Sequence, residues 1–346
     1  MAKRQTVHRS ANVAKVAGLY YVNDGEPGLT RVGSAKIPLL RSASGRPIRD
    51  PRMRERVRRL VIPPAWTDVW ICASPRGHIQ AMGRDARGRR QYIYHPAWRE
   101  VRDRTKFDRI VAFARALPRI RARVERDLAK RTLSKERVLA TVLRLLDVTH
   151  IRVGNEEYAR SNGSFGLTTL RDCHARLTAS SLQFEFRAKS GKLQRIRLGD
   201  RRLARIVKAC QDLPGQRLFQ YLDEGVPKPV TSNDVNAYLR EISCDDFTAK
   251  DFRTWAGTVL AAAALCENEP ENGSAARSIP AAVKVVAAKL GNTPAVCRKC
   301  YIHPAIIESH VAGALAPQFT RRRGRRTAFT DDEAAVLAFL SRRRKG

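Results

Sequence analysis

Four segments carry side chains that could act together on a phosphate: His150-Ile-Arg-Val-Gly-Asn155, Phe186-Arg-Ala-Lys-Ser-Gly-Lys192, Lys250-Asp-Phe-Arg-Thr-Trp255 and Leu290-Gly-Asn-Thr-Pro-Ala-Val-Cys-Arg-Lys-Cys-Tyr301. Phosphoryl transfer without a metal needs fixed cations on the nonbridging oxygens, a proton donor for the leaving oxygen and a nucleophile. Two Arg, a Lys and a Tyr are a sufficient kit. Other catalytic layouts are missing from the sequence. It has no Gly-rich loop followed by Lys-Ser/Thr and no His-Glu-x-x-His. Its single Cys-x-x-Cys, Cys297 and Cys300, lacks a second Cys or His pair, so no zinc site is expected. The seven His are dispersed, and no paired acidic cluster suggests a two-metal nuclease.

The balance of charge narrows the substrate. The chain has 346 residues, with 66 Lys and Arg against 33 Asp and Glu, a formal charge of +33. Such a field attracts a polyanion. A near-neutral metabolic enzyme and an acidic disordered protein are both excluded. The apolar fraction of 43% is enough for a real core, so the chain is not a basic tail. Its length suggests two domains. No run of 18 apolar residues exists to span a bilayer, and the N-terminal apolar stretch is too interrupted for a signal peptide. Seven scattered cysteines argue against a disulfide framework and for a reducing cytoplasm.

The elements that must position these segments follow from the pattern. Residues 1–105 read as β-rich. Gly18–Val22, Val69–Cys72 and Gln91–Tyr94 are strand-like runs, with turns at Glu26–Gly28, Ser44–Gly45 and Pro75–Gly77. One helix is predicted at Pro51–Leu60, ended by Pro63-Pro64. From residue 106 to 346 the period is mainly helical, with helices over Arg137–Leu146 (Ser134 as N-cap), Ser232–Ile242, Thr248–Cys266 and Ile279–Leu290. Alternating Leu182, Phe184 and Phe186, a turn at Lys189–Lys192 and the return over Leu193–Leu198 predict a hairpin. Glu267–Gly273 reads as a polar loop. Basic runs at Arg321–Arg326 and Arg342–Lys345 flank a short helix capped by Thr330 and Glu333.

In these residues the sequence resembles the small type IB DNA topoisomerases of bacteria and poxviruses. The Arg of the family's Ile-Arg-x-Gly motif falls on Arg152, the Lys of its hairpin tip on Lys189, the Arg of Lys-Asp-x-Arg-Thr on Arg253 and the nucleophile on Tyr301. The fifth position, commonly His, falls on Asn292. Asn still donates a hydrogen bond but carries no charge. Tyr21–Asp24, Gly45–Asp50, Ile62–Asp68 and Gly88–Tyr94 are similar to the family's N-terminal domain, and Gly154–Tyr158 and Gly163–Thr169 to its catalytic domain. Val32–Leu40 fits the pattern poorly. The resemblance implies an α+β fold, with a β-rich N-terminal domain and a mainly helical catalytic domain forming a C-shaped clamp on duplex DNA. It implies that Tyr301 forms a 3′-phosphotyrosyl link while Arg152, Arg253 and Asn292 hold the transition state. Lys189 would be the general acid, and Lys250 would support the leaving-group side. Gln91, Tyr92, Tyr94 and Tyr158 match DNA-contacting positions. The implied enzyme is a monomer in the bacterial cytoplasm, needing no ATP, metal or other cofactor and no membrane.

Taken singly these residues read otherwise. Arg152, Lys189 and Arg253 would be surface charges, Tyr301 a packed aromatic, and Asn292 a turn residue beside Gly291 and Pro294. Tyr92 and Tyr94, two apart on a strand, would share one core face. Only the ordered set favours catalysis. A tyrosine recombinase uses a related site but usually carries His where Lys250 stands and lacks the β-rich domain. A non-enzymatic nucleoid protein would share the charge, with no reason to keep the four catalytic positions in order.

Overall fold

The computed structural model describes residues 11–32, 39–267, 275–319 and 328–343. Most of the Glu267–Gly273 loop, the basic run Arg321–Arg326 and the interior of Val32–Leu40 lie outside the described residues, as does the end of Arg342–Lys345. The chain divides into two compact units between Phe107 and Asp108.

The first unit is a five-stranded antiparallel sheet and a short basic helix. Its strands are β1 (Gly28–Val32), β2 (Leu39–Arg41), β3 (Thr67–Cys72), β4 (Ile79–Arg84) and β5 (Arg90–Tyr94), in the order β2-β1-β3-β4-β5. Helix α1 (Pro51–Arg59) lies between β2 and β3 in sequence. Its Asp50 carboxylate accepts from the Arg52 N–H at 2.9 Å, and Pro51 occupies the first turn, where no N–H is needed. The inner strand β4, between β3 and β5, is buried along both faces. Leu29, Val69, Ile71 and Ala81 pack with Met53 and Val57 of α1 and with Leu60, which caps it, while Val22, Cys72, Ile79 and Met82 form a second small cluster with Tyr94.

The expected strand at Gly18–Val22 is not formed; only Tyr20 makes a single bridge, to Gly77. Residues 11–16 are helical instead. Gly18, at φ 67°, ends that helix, with its N–H on the Lys15 carbonyl and that of Leu19 on Ala14. This is the two-bond cap that a left-handed glycine makes, and it takes up the backbone groups a strand would need.

The second unit is mainly helical. It begins within α2 (Pro96–Leu128), which starts ten residues before the point where the helical period becomes visible. Its first turns are rich in Arg and Glu, good helix formers that carry no apolar period. Then follow α3 (Lys135–Thr149), α4 (Glu156–Asn162), a three-stranded sheet of β6 (Ala175–Leu177), β7 (Ser181–Arg187) and β8 (Leu193–Gly199), α5 (Arg201–Gln211), and a hairpin of β9 (Gln220–Asp223) and β10 (Val226–Pro229). The chain ends in α6 (Ser232–Ser243), α7 (Ala249–Glu267), α8 (Ala275–Leu290), α9 (Pro294–Cys300), α10 (Pro304–Val311), α11 (Leu315–Gln318) and α12 (Asp331–Arg343). One continuous core runs from Ile110 to Leu340. It buries Leu182, Phe184 and Phe186 as the alternation requires. The fold is therefore α+β, with the sheet-rich unit first. Among the described residues no helix is long and apolar enough to cross a membrane.

Candidate active site

Helix α3 stops at His150, which turns left-handed at φ 57° with its N–H on the Leu146 carbonyl at 3.1 Å. The chain then runs out through Ile151-Arg152-Val153. That segment is pinned by the N–H of Leu167 on the Arg152 carbonyl (2.9 Å) and of Thr168 on the Val153 carbonyl (2.7 Å). Gly154 and Gly166 meet back to back: a Cβ on Gly166 would lie 2.6 Å from the Arg152 carbonyl oxygen and from Gly154 N. A side chain there would push the Arg152 segment away. This contact explains why two separate glycine motifs, Arg152-Val-Gly154 and Gly166-Leu-Thr-Thr169, accompany one arginine.

Arg253 stands on the first turns of α7 and is 3% exposed. Its guanidinium donates to the His150 carbonyl and, at 2.7 Å, to the Leu290 carbonyl. One of its neighbours is therefore the residue that ends α3, and the other is the residue that ends α8. After Leu290, Gly291 (φ 57°) and Asn292 form a glycine cap in which the Asn292 N–H reaches the Ala287 carbonyl at 2.9 Å. The cap uses only the Asn292 backbone. Its side chain is left to face Arg152, and its Oδ1 accepts from the Arg152 guanidinium at 2.8 Å. Asn292 is thus both a turn residue and a member of the cluster.

Tyr301 closes the cluster. It follows α9, and the Arg253 guanidinium carbon lies 5.2 Å from its ring centroid. Its backbone is held by its N–H on the Cys297 carbonyl (2.9 Å) and by the Thr258 hydroxyl donating to its carbonyl (3.3 Å). Gly257, in the middle of α7, lets it approach: a Cβ there would lie 2.7 Å from the Tyr301 carbonyl oxygen.

Arg152 contacts Asn292 and Arg253 contacts Tyr301, and the two pairs are joined through the backbone at His150 and at Leu290-Gly291. Lys189 sits exposed at the β7–β8 tip, where Ser190 turns left-handed. The hairpin reaches the cluster through Lys192, whose Nζ donates to the Asn292 carbonyl at 3.2 Å. Gln194 of β8 packs against Gly291 so closely that a Cβ there would lie 2.1 Å from its amide nitrogen. Lys192, Gln194 and Gly257 were not singled out from sequence. A glycine in the middle of an otherwise strong helical pattern was the one signal that could have flagged Gly257.

The electrostatics of the cluster are those of a site short of an anion. Burial, and then the neighbouring Arg253, bring Arg152 down to about 10. Burial also lowers the His150 imidazole, and Arg253 and Lys289 push the same way. Both guanidiniums donate to neutral carbonyl oxygens. Two buried donors, Arg253 Nε and Asn292 Nδ2, have no partner. Orphaned buried donors are costly, so they are expected where a ligand supplies the acceptor. A phosphate oxygen is such an acceptor. Among the described residues no group of three His, Cys, Asp or Glu could hold a metal ion.

The remaining sequence-predicted residues are placed as follows. Lys250 is exposed on the first turn of α7 and Tyr158 is exposed on α4. In the first unit, Tyr92 is 38% exposed and stacks on Tyr94 at 5.9 Å, while Tyr94 also packs on that unit's core. The Gln91 amide donates to Asp85 at 2.9 Å. The two tyrosines share a face, but only Tyr94 belongs to the core.

Residues 95–314 match the family Eukaryotic DNA topoisomerase I, catalytic core, and residues 40–85 match Bacterial DNA topoisomerase IB, N-terminal domain. The chain is 33% identical over 258 residues to the DNA topoisomerase 1B of Acanthamoeba polyphaga mimivirus, an alignment covering 72% of this chain and 77% of the viral one. It is 24% identical to the DNA topoisomerase I of Monkeypox virus and to the DNA topoisomerase 1B of Vaccinia virus (strain Copenhagen), over 66% of this chain and 71% of each relative.

Proposed function

Because the chain belongs to the type IB DNA topoisomerases, we propose that the Arg152–Arg253–Asn292–Tyr301 cluster is its phosphoryl-transfer site. The chain relaxes supercoiled duplex DNA by reversible single-strand transesterification through a 3′-phosphotyrosyl intermediate, without ATP or metal. In this reading Tyr301 attacks the scissile phosphorus, and the bond to its phenolic oxygen replaces the bond to the 5′-oxygen. The two guanidiniums and the Asn292 amide donate to the nonbridging oxygens as charge builds on them. Fixed donors of this kind act without reorganising, which is where most of the rate arises. Lys189 gives a proton to the departing 5′-oxygen, and Lys250 supports that side. The free strand turns, supercoils relax, and the 5′-hydroxyl reverses the step. Bond energy is conserved throughout.

The observation that carries this assignment is the pair of unspent buried donors, Arg253 Nε and Asn292 Nδ2, in one cluster with two guanidiniums and a tyrosine. For DNA binding we propose a C-shaped clamp made by a single copy of the chain, with Gln91, Tyr92 and Tyr94 on one jaw and Tyr158 and Lys250 on the other. The net charge of +33 supports this reading. The match to a bacterial N-terminal domain supports action on the bacterial nucleoid, in the cytoplasm.

The test is relaxation of negatively supercoiled plasmid in EDTA without ATP. The parent chain relaxes the plasmid fully and forms a covalent adduct on Tyr301. Tyr301→Phe binds DNA but loses relaxation by about 10⁴-fold or more, as removal of a covalent nucleophile does elsewhere. A Tyr301→Phe variant that still relaxes the plasmid would place the nucleophile elsewhere.

A further inference from the structure

Behind the catalytic cluster lies a buried ionic node with no part in the chemistry described above. Arg121, from α2, donates through Nε and Nη2 to both oxygens of Asp147 (2.8 and 2.9 Å), and through Nη1 and Nη2 to both oxygens of Glu333 (2.9 and 2.8 Å). Glu333, 7% exposed on the first turn of α12, also accepts the indole N–H of Trp255 at 3.0 Å. It caps its own helix too: its carboxylate takes the Thr330 N–H (2.9 Å) and its N–H reaches the Thr330 hydroxyl (3.2 Å). Burial alone would raise the Glu333 carboxyl, but the bonds from Arg121 outweigh it and hold the group below the usual carboxylate range.

The two arms of this node end beside the two catalytic arginines. Asp147 lies three residues before His150, where α3 ends and the Arg152 segment begins. Trp255 lies two residues after Arg253 on α7. On the phosphate side the same two elements meet through the Arg253 guanidinium on the His150 carbonyl. The end of α3 and the start of α7 are thus tied twice, once at the cluster and once behind it. The rear tie needs Glu333, from a helix beyond residues 95–314, where the match to the catalytic core ends.

We infer that Glu333 and Arg121 are positioning residues that set the spacing of Arg152 and Arg253, so that α12 is part of the active-site framework. The inference rests on the assignment of those arginines to the scissile phosphate. A bidentate guanidinium between two carboxylates fixes both distance and orientation, which a single bond does not. Displacement of a catalytic group by about 1 Å costs on the order of 10²-fold in rate. A node that served stability alone would change folding without changing which oxygen of the phosphate is served.

The test uses the full chain and a duplex with one mapped cleavage site, carrying either the ordinary phosphodiester or a neutral methylphosphonate at that position. The methylphosphonate lacks one charged oxygen, so an enzyme that has lost cationic stabilisation loses less on it. Glu333→Gln keeps the side-chain shape and weakens the bridge to Arg121; Trp255→Phe keeps the ion pairs and removes the indole N–H together with part of the ring. Glu333→Gln is expected to slow single-turnover cleavage of the phosphodiester by about 10- to 100-fold. That deficit should shrink to about threefold or less on the methylphosphonate, with DNA affinity within about twofold of the parent and the fold intact at the assay temperature. Trp255→Phe should show the same pattern at about three- to tenfold, and it carries the test alone if Glu333→Gln does not fold. Parent-like cleavage in the variants, or an equal deficit on both linkages, would overturn the inference. Arg152→Ala and Arg253→Ala run beside them. If those two cleave at the parent rate, the assignment of the phosphate site has failed instead.

Discussion

The proposed catalytic cluster and the sheet of the first unit solve opposite problems with the same residue types. In the cluster, Arg253 is 3% exposed and donates through its two terminal nitrogens to the carbonyls of His150 and Leu290, leaving Nε unspent. Arg152 is held by Asn292 and by the Gly291 carbonyl at 3.3 Å. In the first unit Arg52, Arg54, Arg58 and Arg59 of α1 and Arg87 of the β4–β5 turn are exposed, and the core is split into small clusters. One region has paid in desolvation for fixed charge; the other keeps its charge hydrated and adjustable. Fixed charge serves a transition state, whose geometry is unique. Hydrated charge serves a polyanion, to which many registers are equivalent.

The largest loss is expected at Arg253. Arg253→Ala should lower the single-turnover cleavage rate by about 10²–10³-fold, with DNA affinity nearly unchanged. Arg253→Lys should recover little, since one ammonium cannot reach both carbonyls and still offer a donor to the phosphate. Pre-steady-state cleavage beside a DNA-binding titration separates the two effects. A large loss of affinity with normal cleavage at saturation would show that this buried arginine behaves like a surface one.

Next comes Gly257→Ala. The new Cβ would meet the Tyr301 carbonyl oxygen at 2.7 Å, which is backbone and cannot rotate away. Overpacking of this kind typically costs about 1–3 kcal/mol, and here the part that yields carries Tyr301, the proposed nucleophile. Thermal unfolding should show the loss of stability, and cleavage should slow. A control at Gly199, where a new Cβ meets nothing within 4 Å, should change neither.

How far the site could be read in advance follows the same division. Arg152, Arg253 and Tyr301 could be singled out because the family's motifs keep a fixed order along the chain, whatever folds between them. Helices α6, α7 and α8 were legible from their apolar period, and the β7–β8 hairpin from its alternation. What was hidden depended on approach in three dimensions. Asn292 was singled out only by its place in the family pattern; nothing local marks its side chain as a partner of Arg152 when its backbone already completes a helix cap. Nor does anything near Glu333, read from sequence only as a capping residue, point to Arg121, which stands 212 positions away in the chain. Gly18–Val22 misled because an aromatic run suits a strand, while Gly18 was already committed to ending a helix.

A smaller effect is expected from pH. His150 is lowered in the folded chain by burial and by Arg253 and Lys289, so the unfolded chain takes up its proton first. Stability is then full above about 6.5, the ordinary histidine value, and declines as the pH falls from there to the lowered folded value. Protonation would also place a cation beside Arg253. His150→Asn tolerates the left-handed turn and does not titrate. Unfolding midpoints measured from pH 7.5 to 5 should fall less steeply for the variant than for the parent. Equal slopes would locate the acid sensitivity elsewhere. Glu333, held low, adds its own loss only at more acidic pH, as it is protonated.

The smallest effects should come from the first unit, and they sharpen the comparison most. Neutralising one exposed arginine of α1, such as Arg54, removes at most one phosphate contact, so the log–log salt slope of DNA binding should fall by about one unit or less. Tyr92→Ala should weaken binding modestly, because its ring is exposed and stacked only on Tyr94. In both variants cleavage at saturating protein should match the parent. Tyr92 is the more informative of the two, because it adds no charge. If its loss leaves the salt slope unchanged while affinity drops, the first unit contributes a contact that is not counterion release. If the slope changes with it, the ring serves to hold neighbouring arginines such as Arg90 against the backbone, and its effect is electrostatic after all.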